Sequence, residues 1–196
     1  FTLSSGSGTK TVYVWFKDRV GNTNATPFTD QITLDTVPPT NPTAVTSSSH
    51  TLSVWSNDRT VDMVWSGATD DRSGVYGYSI KWDRLPNTLP DTTSDTTSTK
   101  KTSSSLSDGN NHYFHLRTRD RAGNWSGSAV HMGPLFIDGT SPVNGTLTAA
   151  AGNAQVSLNW SGFSDPMSGL ATTNTYKLVF STSGTPSSRC TNGTQI

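Results

Sequence analysis

Apolar and polar side chains alternate along several short stretches of this chain, and a period of two predicts β-strands with one buried side. The first such strand covers residues 10–16 and directs Val12, Val14 and Phe16 to one side. Later strands repeat the pattern with the inward sets Val61, Met63 and Trp65; Tyr78, Ile80 and Trp82; Phe114, Leu116 and Thr118; and Val156, Leu158 and Trp160. The pattern predicts an all-β fold.

The remaining segments predict short strands and connections. Apolar runs at 30–34, 135–137 and 176–180 predict further strands. Residues 89–105 contain mostly Thr, Ser and Asp, which indicates a long surface connection with one short edge strand. Two segments, DTVPPT and DGTSP, contain prolines that favour an extended path, and we interpret them as connections between domains.

Two sequence motifs occur twice in the chain. The segment VWSGATDDRSG, which begins at Val64, returns as NWSGFSDPMSG from Asn159, and DRVGN at Asp18 returns as DRAGN at Asp120. Repeats at domain spacing predict tandem copies of one unit. We therefore predict the C-terminal part of one β-sandwich in 1–38, a complete sandwich in 39–140, and the N-terminal part of a third in 141–196.

The same motifs resemble a known family. Trp65 on an early strand, Tyr78 on the next, Leu106 ahead of the penultimate strand and then DRAGNWS are similar to a fibronectin type III domain. KTVYVWFKDRVGN and ITLDTVPPT resemble the Ig-like and fibronectin-like repeats of large secreted bacterial and archaeal surface proteins. The resemblance implies tandem Ig-like sandwiches at an extracellular or cell-surface location. His112 departs from it, because the family's corner tyrosine usually occupies that place.

Bulk properties exclude two classes of partner. The chain has 196 residues, and 14 Lys and Arg residues balance 14 Asp and Glu residues. A net charge of zero gives no general attraction for nucleic acid. No apolar run approaches the roughly 20 residues of a membrane span, so we expect no membrane insertion. The opening FTLSSGSGTK has neither Met nor a signal-like apolar region, and we expect the chain to be a segment of a longer protein.

Catalytic motifs are missing from the sequence. It contains no GxSxG, HExxH or CxxC pattern. His112 and His115 lie three apart on a predicted strand and should face opposite sides of the sheet, so they cannot chelate one ion together. His50 and His131 stand in polar, isolated settings. We therefore expect no enzymatic activity.

Aspartates are the main candidate for a binding site. In a fibronectin-type sandwich, the loop after Trp65 and the DRAGN loop lie at the end where the preceding connection enters. That arrangement would gather Asp35, Asp70, Asp71 and Asp120, and Asp138 with Asp165 would begin the same set at the next connection. Oxygen ligands of this kind suit Ca²⁺. The alternative is that each aspartate accepts N–H groups of its own turn and needs no ion.

Two surface rows are further candidates. Tyr13 and Trp15 should project outward from the first strand, where an aromatic pair can stack on a sugar or be covered by a neighbour. A basic row is expected beside Lys81, and with zero net charge we interpret it as a solvated sheet face rather than a nucleic-acid site; its members are Tyr113, His115, Arg117 and Arg119.

Cys190 is the only cysteine of the chain. Related repeats imply a disulfide with a partner outside these 196 residues, on a later strand, and a free thiol is the alternative. The sequence does not distinguish the two states.

The leading functional hypothesis is a non-catalytic structural or adhesive module that spaces or assembles a bacterial or archaeal surface protein or fibre. Its partners would be neighbouring repeats of the same chain or other copies, and 141–196 could complete a sandwich with 1–34 of another copy by strand complementation. The alternative is an accessory carbohydrate-binding module of a secreted hydrolase, with Tyr13, Trp15 or Trp55 against the glycan.

Overall fold

A computed structural model describes residues 2–173, 175–180 and 194–195. These residues form β-strands, turns and irregular connections, with no helix among them, and so none that could span a membrane. The chain divides into two compact units, Phe1–Ile137 and Asp138–Ile196. The all-β prediction is therefore confirmed, whereas the division into three parts stays a prediction.

The first unit begins with an antiparallel hairpin of β1 (Gly8–Val14) and β2 (Phe28–Leu34). Its register places Val14 opposite Phe28, and the Phe16 and Phe28 rings meet edge to face at 5.5 Å. The side predicted to be buried is nevertheless open, because Val14, Phe16 and Phe28 are exposed. The prediction of a buried side was wrong here: within the described residues, this two-stranded sheet has no second layer over that side.

Two larger sheets follow in the first unit. The three-stranded sheet has the order β3-β5-β7 and consists of β3 (Ala44–Ser47), β5 (Asp62–Ser66) and β7 (Lys100–Thr102). The four-stranded sheet has the order β4-β9-β8-β6 and consists of β4 (Trp55–Ser56), β6 (Val75–Asp83), β8 (Gly109–Asp120) and β9 (Val130–Ile137). All neighbouring strands are antiparallel except β4, which runs parallel to β9.

One hydrophobic core joins these two sheets. Its buried members are Val61, Met63, Trp65, Tyr78, Phe114, Leu116, Leu135 and Ile137. The Trp65 ring of the smaller sheet meets Tyr78 edge to face at 5.4 Å and lies 5.8 Å from Phe114, both on the larger sheet. The inward rows predicted from the alternation therefore do meet, an arrangement consistent with a β-sandwich.

The connection between β6 and β7 covers the outer side of the larger sheet. Its Asp95 carboxylate accepts the Ile80 N–H at 2.6 Å, and the carbonyl of buried Pro90 accepts a bond from Arg117 at 3.3 Å. His115 is fully buried and Arg117 nearly so. The expected solvated face was therefore wrong for these two residues: the connection covers Arg117, and His115 lies against Asp83 of β6 and His131 of β9.

Trp55 and His112 also make specific contacts in this unit. Trp55 packs on Phe136 with ring centroids 5.0 Å apart, where β4 adds to the sheet edge. His112 donates from Nε2 to the Ser107 carbonyl at 2.7 Å. Burial lowers the pKa of His112, so its ring is neutral at neutral pH.

The second unit contains a hairpin of β10 (Thr146–Gly152) and β11 (Gln155–Ser161), and a short pair of β12 (Val179–Phe180) and β13 (Thr194–Gln195). The Tyr176 ring lies 5.8 Å from Trp160 and 5.7 Å from Phe163. The predicted inward row of β11 is largely open, since Val156 and Trp160 are exposed. Cys190 lies outside the described residues, and its pairing stays a prediction.

Candidate functional site

Three carboxylates meet at one end of the first unit. Asp35 follows β2 directly, Asp70 lies in the loop between β5 and β6, and Asp120 ends β8. One oxygen from each lies within 4.8 Å of the others. Asp35 and Asp120 are buried, whereas Asp71 is exposed and lies outside the group. The structure thus brings together three of the four aspartates expected here.

Asp35 attaches the DTVPPT connection, which it begins, to the loop that follows Trp65. Its Oδ1 accepts the Val37 N–H at 3.0 Å, and its Oδ2 accepts the Ser73 N–H at 3.1 Å. Hydrogen bonding by the Ser73 side chain, and then by the Val37 N–H, lowers the pKa of Asp35 below its ordinary value. These bonds stabilise the fold above the ordinary aspartate pKa, and the contribution is lost as the pH falls through the lowered pKa.

Asp70 shapes its own loop. Its Oδ1 accepts the Gly74 N–H at 2.7 Å, the Arg72 N–H at 3.2 Å and the Ser73 hydroxyl at 3.3 Å. Gly74 has a φ of 79°, a left-handed conformation that side-chain-bearing residues rarely adopt. The Asp-x-x-Ser-Gly spacing is therefore the sequence signal for this turn.

Asp120 organises the DRAGN turn and links it to the connection. Its Oδ1 accepts the Gly123 and Asn124 N–H groups, each at 2.7 Å, and its Oδ2 accepts the Asn124 side-chain amide at 2.7 Å. The same amide donates to the Asp35 carbonyl at 3.2 Å. Asn124 is a site residue that sequence reasoning missed, although the repeated Asn of DRVGN and DRAGN was a signal for it.

The second unit repeats this chemistry. Asp138 accepts the Thr140 N–H at 3.2 Å and the Ser168 N–H at 3.0 Å, as Asp35 does with Val37 and Ser73. Asp165 accepts the Gly169 N–H at 3.0 Å, as Asp70 does with Gly74. The recurring motif therefore encodes a recurring attachment of a connection aspartate to the next loop.

These contacts can be compared with the two interpretations of the aspartates, a Ca²⁺ site or turns that need no ion. Ca²⁺ takes six to eight oxygen ligands, and three clustered carboxylates supply part of such a set. Each of these carboxylates also accepts backbone N–H groups, which stabilise its negative charge without an ion. The hydrogen-bonding interpretation accounts for every carboxylate of the cluster, and Ca²⁺ binding stays the untested alternative.

The aromatic candidates differ in accessibility. The Tyr13 and Trp15 rings lie 6.0 Å apart with an interplanar angle of 22°, and they are 54% and 57% exposed. Trp55 is only partly exposed because it packs on Phe136. Tyr13 and Trp15 therefore form the open aromatic surface, and Trp55 does not extend it.

Strand pairing creates a histidine contact that the sequence pattern did not indicate. His131 was expected to be isolated, but β9 places it directly opposite His115 of β8. Their Nδ1 atoms lie 2.7 Å apart. Only the register between two strands could reveal this pair.

The chain matches none of the protein-family models and none of the curated proteins with which it was compared.

Replacing Asp120 by Ala should destabilise the first unit. The change removes the fully buried carboxylate that accepts the Gly123 and Asn124 N–H groups, so we expect a loss of about 1–3 kcal/mol in the free energy of unfolding, measured by urea denaturation. Asp18→Ala is the matched control, because Asp18 makes the same two contacts with Asn22, and one with the Val20 N–H, in an exposed turn. An equal loss for both variants would contradict the role of burial.

Calcium should leave the melting temperature unchanged, because hydrogen bonds already satisfy the clustered carboxylates. Calorimetric melts with Ca²⁺ and with a chelator test this expectation. A rise in melting temperature with Ca²⁺ that disappears in Asp70→Asn would overturn it and establish an ion site at the cluster. Asp71→Asn, which changes an exposed carboxylate next to Asp70, is the control.

Proposed function

We propose that this chain is a non-catalytic structural or adhesive repeat of an extracellular protein, which spaces or assembles a surface protein or fibre. The strand orders β3-β5-β7 and β4-β9-β8-β6 around one core support the fibronectin type III-like assignment. Repeated motifs support tandem organisation. Because many functions occur on such sandwiches, the connections between repeats, and not the fold, support the proposed role.

The observation that carries this proposal is the attachment made by each connection aspartate. Asp35 and Asp138 use one carboxylate oxygen for the next turn of their own segment and the other for a serine N–H in the following loop. In both units, this contact holds the aspartate at the start of the repeat against the loop that contains the serine. Such a restriction suits a module that bears load, whereas catalysis would require reactive groups left available in a cleft.

Open apolar surfaces support a role in assembly. Val14, Phe16, Phe28 and Ile32 are exposed in the first hairpin, and Leu147, Val156 and Trp160 are exposed in the second unit. Exposed apolar surface of this kind favours contact with other protein. In our proposal, neighbouring repeats or other copies cover these sides, and strand complementation between 141–196 and 1–34 is one way to do so.

Replacing Asp35 by Ala should weaken the chain under load. We expect a lower unfolding force for the first unit in single-molecule stretching, because the connection loses its bonds to Val37 and Ser73. Asp71→Ala is the matched control and should unfold at the wild-type force, since Asp71 is exposed and outside the cluster.

Equal forces for the wild type and Asp35→Ala would contradict the load-bearing role. The location is tested separately by antibodies against the chain applied to intact source cells. Labelling of intact cells is expected, and labelling only after permeabilisation would contradict an extracellular module.

A second candidate function is glycan binding by an accessory module, and the open Tyr13 and Trp15 rings favour it. Nearly parallel, accessible aromatic rings can stack on the apolar faces of sugars. Binding through this surface would also be compatible with an extracellular location. The two candidates differ in what the aromatic pair contacts, either a sugar or a neighbouring protein domain.

A glycan array separates the two candidates. If the pair binds sugar, the wild type should show hits that Trp15→Ala abolishes and that Phe28→Ala, on the opposite side of the hairpin, retains. An array without hits, or hits unaffected by Trp15→Ala, would count against glycan recognition by this surface and would favour protein contact.

A further inference from the structure

We propose that His115 and His131 together bind one divalent transition-metal ion through their Nδ1 atoms, with Cu²⁺ preferred over Ni²⁺ and Zn²⁺. The two residues lie opposite each other on β8 and β9, and their Nδ1 atoms are 2.7 Å apart. Imidazole is a ligand that all three ions accept. This site involves none of the clustered aspartates and does not depend on the proposed function.

Asp83 orients the His115 ring for metal binding. Its Oδ1 lies 3.1 Å from His115 Nε2 and also accepts the Leu85 N–H at 2.9 Å. A carboxylate can only accept, so His115 carries its proton on Nε2 and directs the lone pair of Nδ1 towards His131. Histidines that bind metals commonly have such a carboxylate on the other nitrogen, which fixes the tautomer and the ring orientation. His115 is fully buried, so packing also holds the ring.

His131 supplies the second nitrogen and the route of entry. It is exposed, so an ion can reach the pair from its side of the sheet. With the His115 proton on Nε2, the contact between the two Nδ1 atoms requires His131 Nδ1–H to donate to His115 Nδ1. Metal binding requires the His131 proton to move through solvent from Nδ1 to Nε2, after which both Nδ1 lone pairs are available and no net proton is released.

The spacing of the two nitrogens favours copper. Two ligands about 2.0 Å from a metal lie about 2.8 Å apart at a right angle and about 3.3 Å apart at a tetrahedral angle. The observed 2.7 Å is therefore closer to the nitrogen spacing of tetragonal Cu²⁺ than to that of tetrahedral Zn²⁺, and binding also requires the exposed His131 ring to turn so that both lone pairs point to the ion. Cu²⁺ also has the highest intrinsic affinity in this series. Water would complete the coordination.

Cu²⁺ titration of the full chain tests the site, with calorimetry for stoichiometry and electron paramagnetic resonance for the ligands. We expect one saturable site, two coordinated nitrogens and an affinity order of Cu²⁺ above Ni²⁺ and Zn²⁺. His131→Ala should abolish this binding while the fold is retained, because His131 is exposed. Asp83→Asn should weaken it by about 10–100-fold, as loss of an orienting carboxylate does. Asp71→Asn, which changes an exposed carboxylate outside the cluster, is the control and should bind as the wild type does.

Several outcomes would overturn the proposal. They are no saturable Cu²⁺ binding by the wild type, unchanged binding in His131→Ala, or a resonance spectrum without two nitrogen ligands. Nitrogen-15 shifts of the imidazoles provide a readout that does not depend on a variant's stability. Diamagnetic Zn²⁺ should shift Nδ1 of both rings, and a shift of His50 or His112 instead would place the ion elsewhere.

Discussion

The packing of Trp65 between the two larger sheets is the contact on which the first unit depends. Its ring meets Tyr78 and Phe114 of the opposite sheet, and the remaining core residues extend from this point. Large buried aromatic surface supplies much of the free energy of such a core. These rings lie on β5, β6 and β8. Packing of these strands sets the positions of the loop between β5 and β6 and of the end of β8, so the core places Asp70 and Asp120 beside Asp35.

Aspartates then convert the ends of the strands into defined turns. Asp18, Asp70, Asp120 and Asp165 each accept N–H groups from residues a few positions later, and connection aspartates add a bond to a more distant loop. One side chain therefore stabilises a turn and orders it relative to its neighbours. Because one side chain has both effects, the same short motifs can recur along the chain with or without a bound ion.

The outer side of the four-stranded sheet carries a different kind of chemistry. His115 and Arg117 are buried there; the connection after β6 bonds to Arg117, and strand pairing sets His115 beside His131. Burial of a polar row requires partners for its hydrogen-bonding groups. Asp83 and the Pro90 carbonyl provide such partners, so a surface that resembles a basic stripe in the sequence is a packed and specific environment in the folded unit.

Local patterns in the sequence were sufficient for the all-β class, for the buried rows around Met63, Ile80 and Leu116, and for the aspartates of the turns. These features depend on residues close in sequence or on a period of two, which a single strand already expresses. Tertiary structure alone decided the burial of His115, the exclusion of Asp71 from the cluster, the open sides of both hairpins and the pairing of His115 with His131. Each of these depends on strand register or on a distant segment that covers a surface, and neither is encoded in the local alternation of side chains.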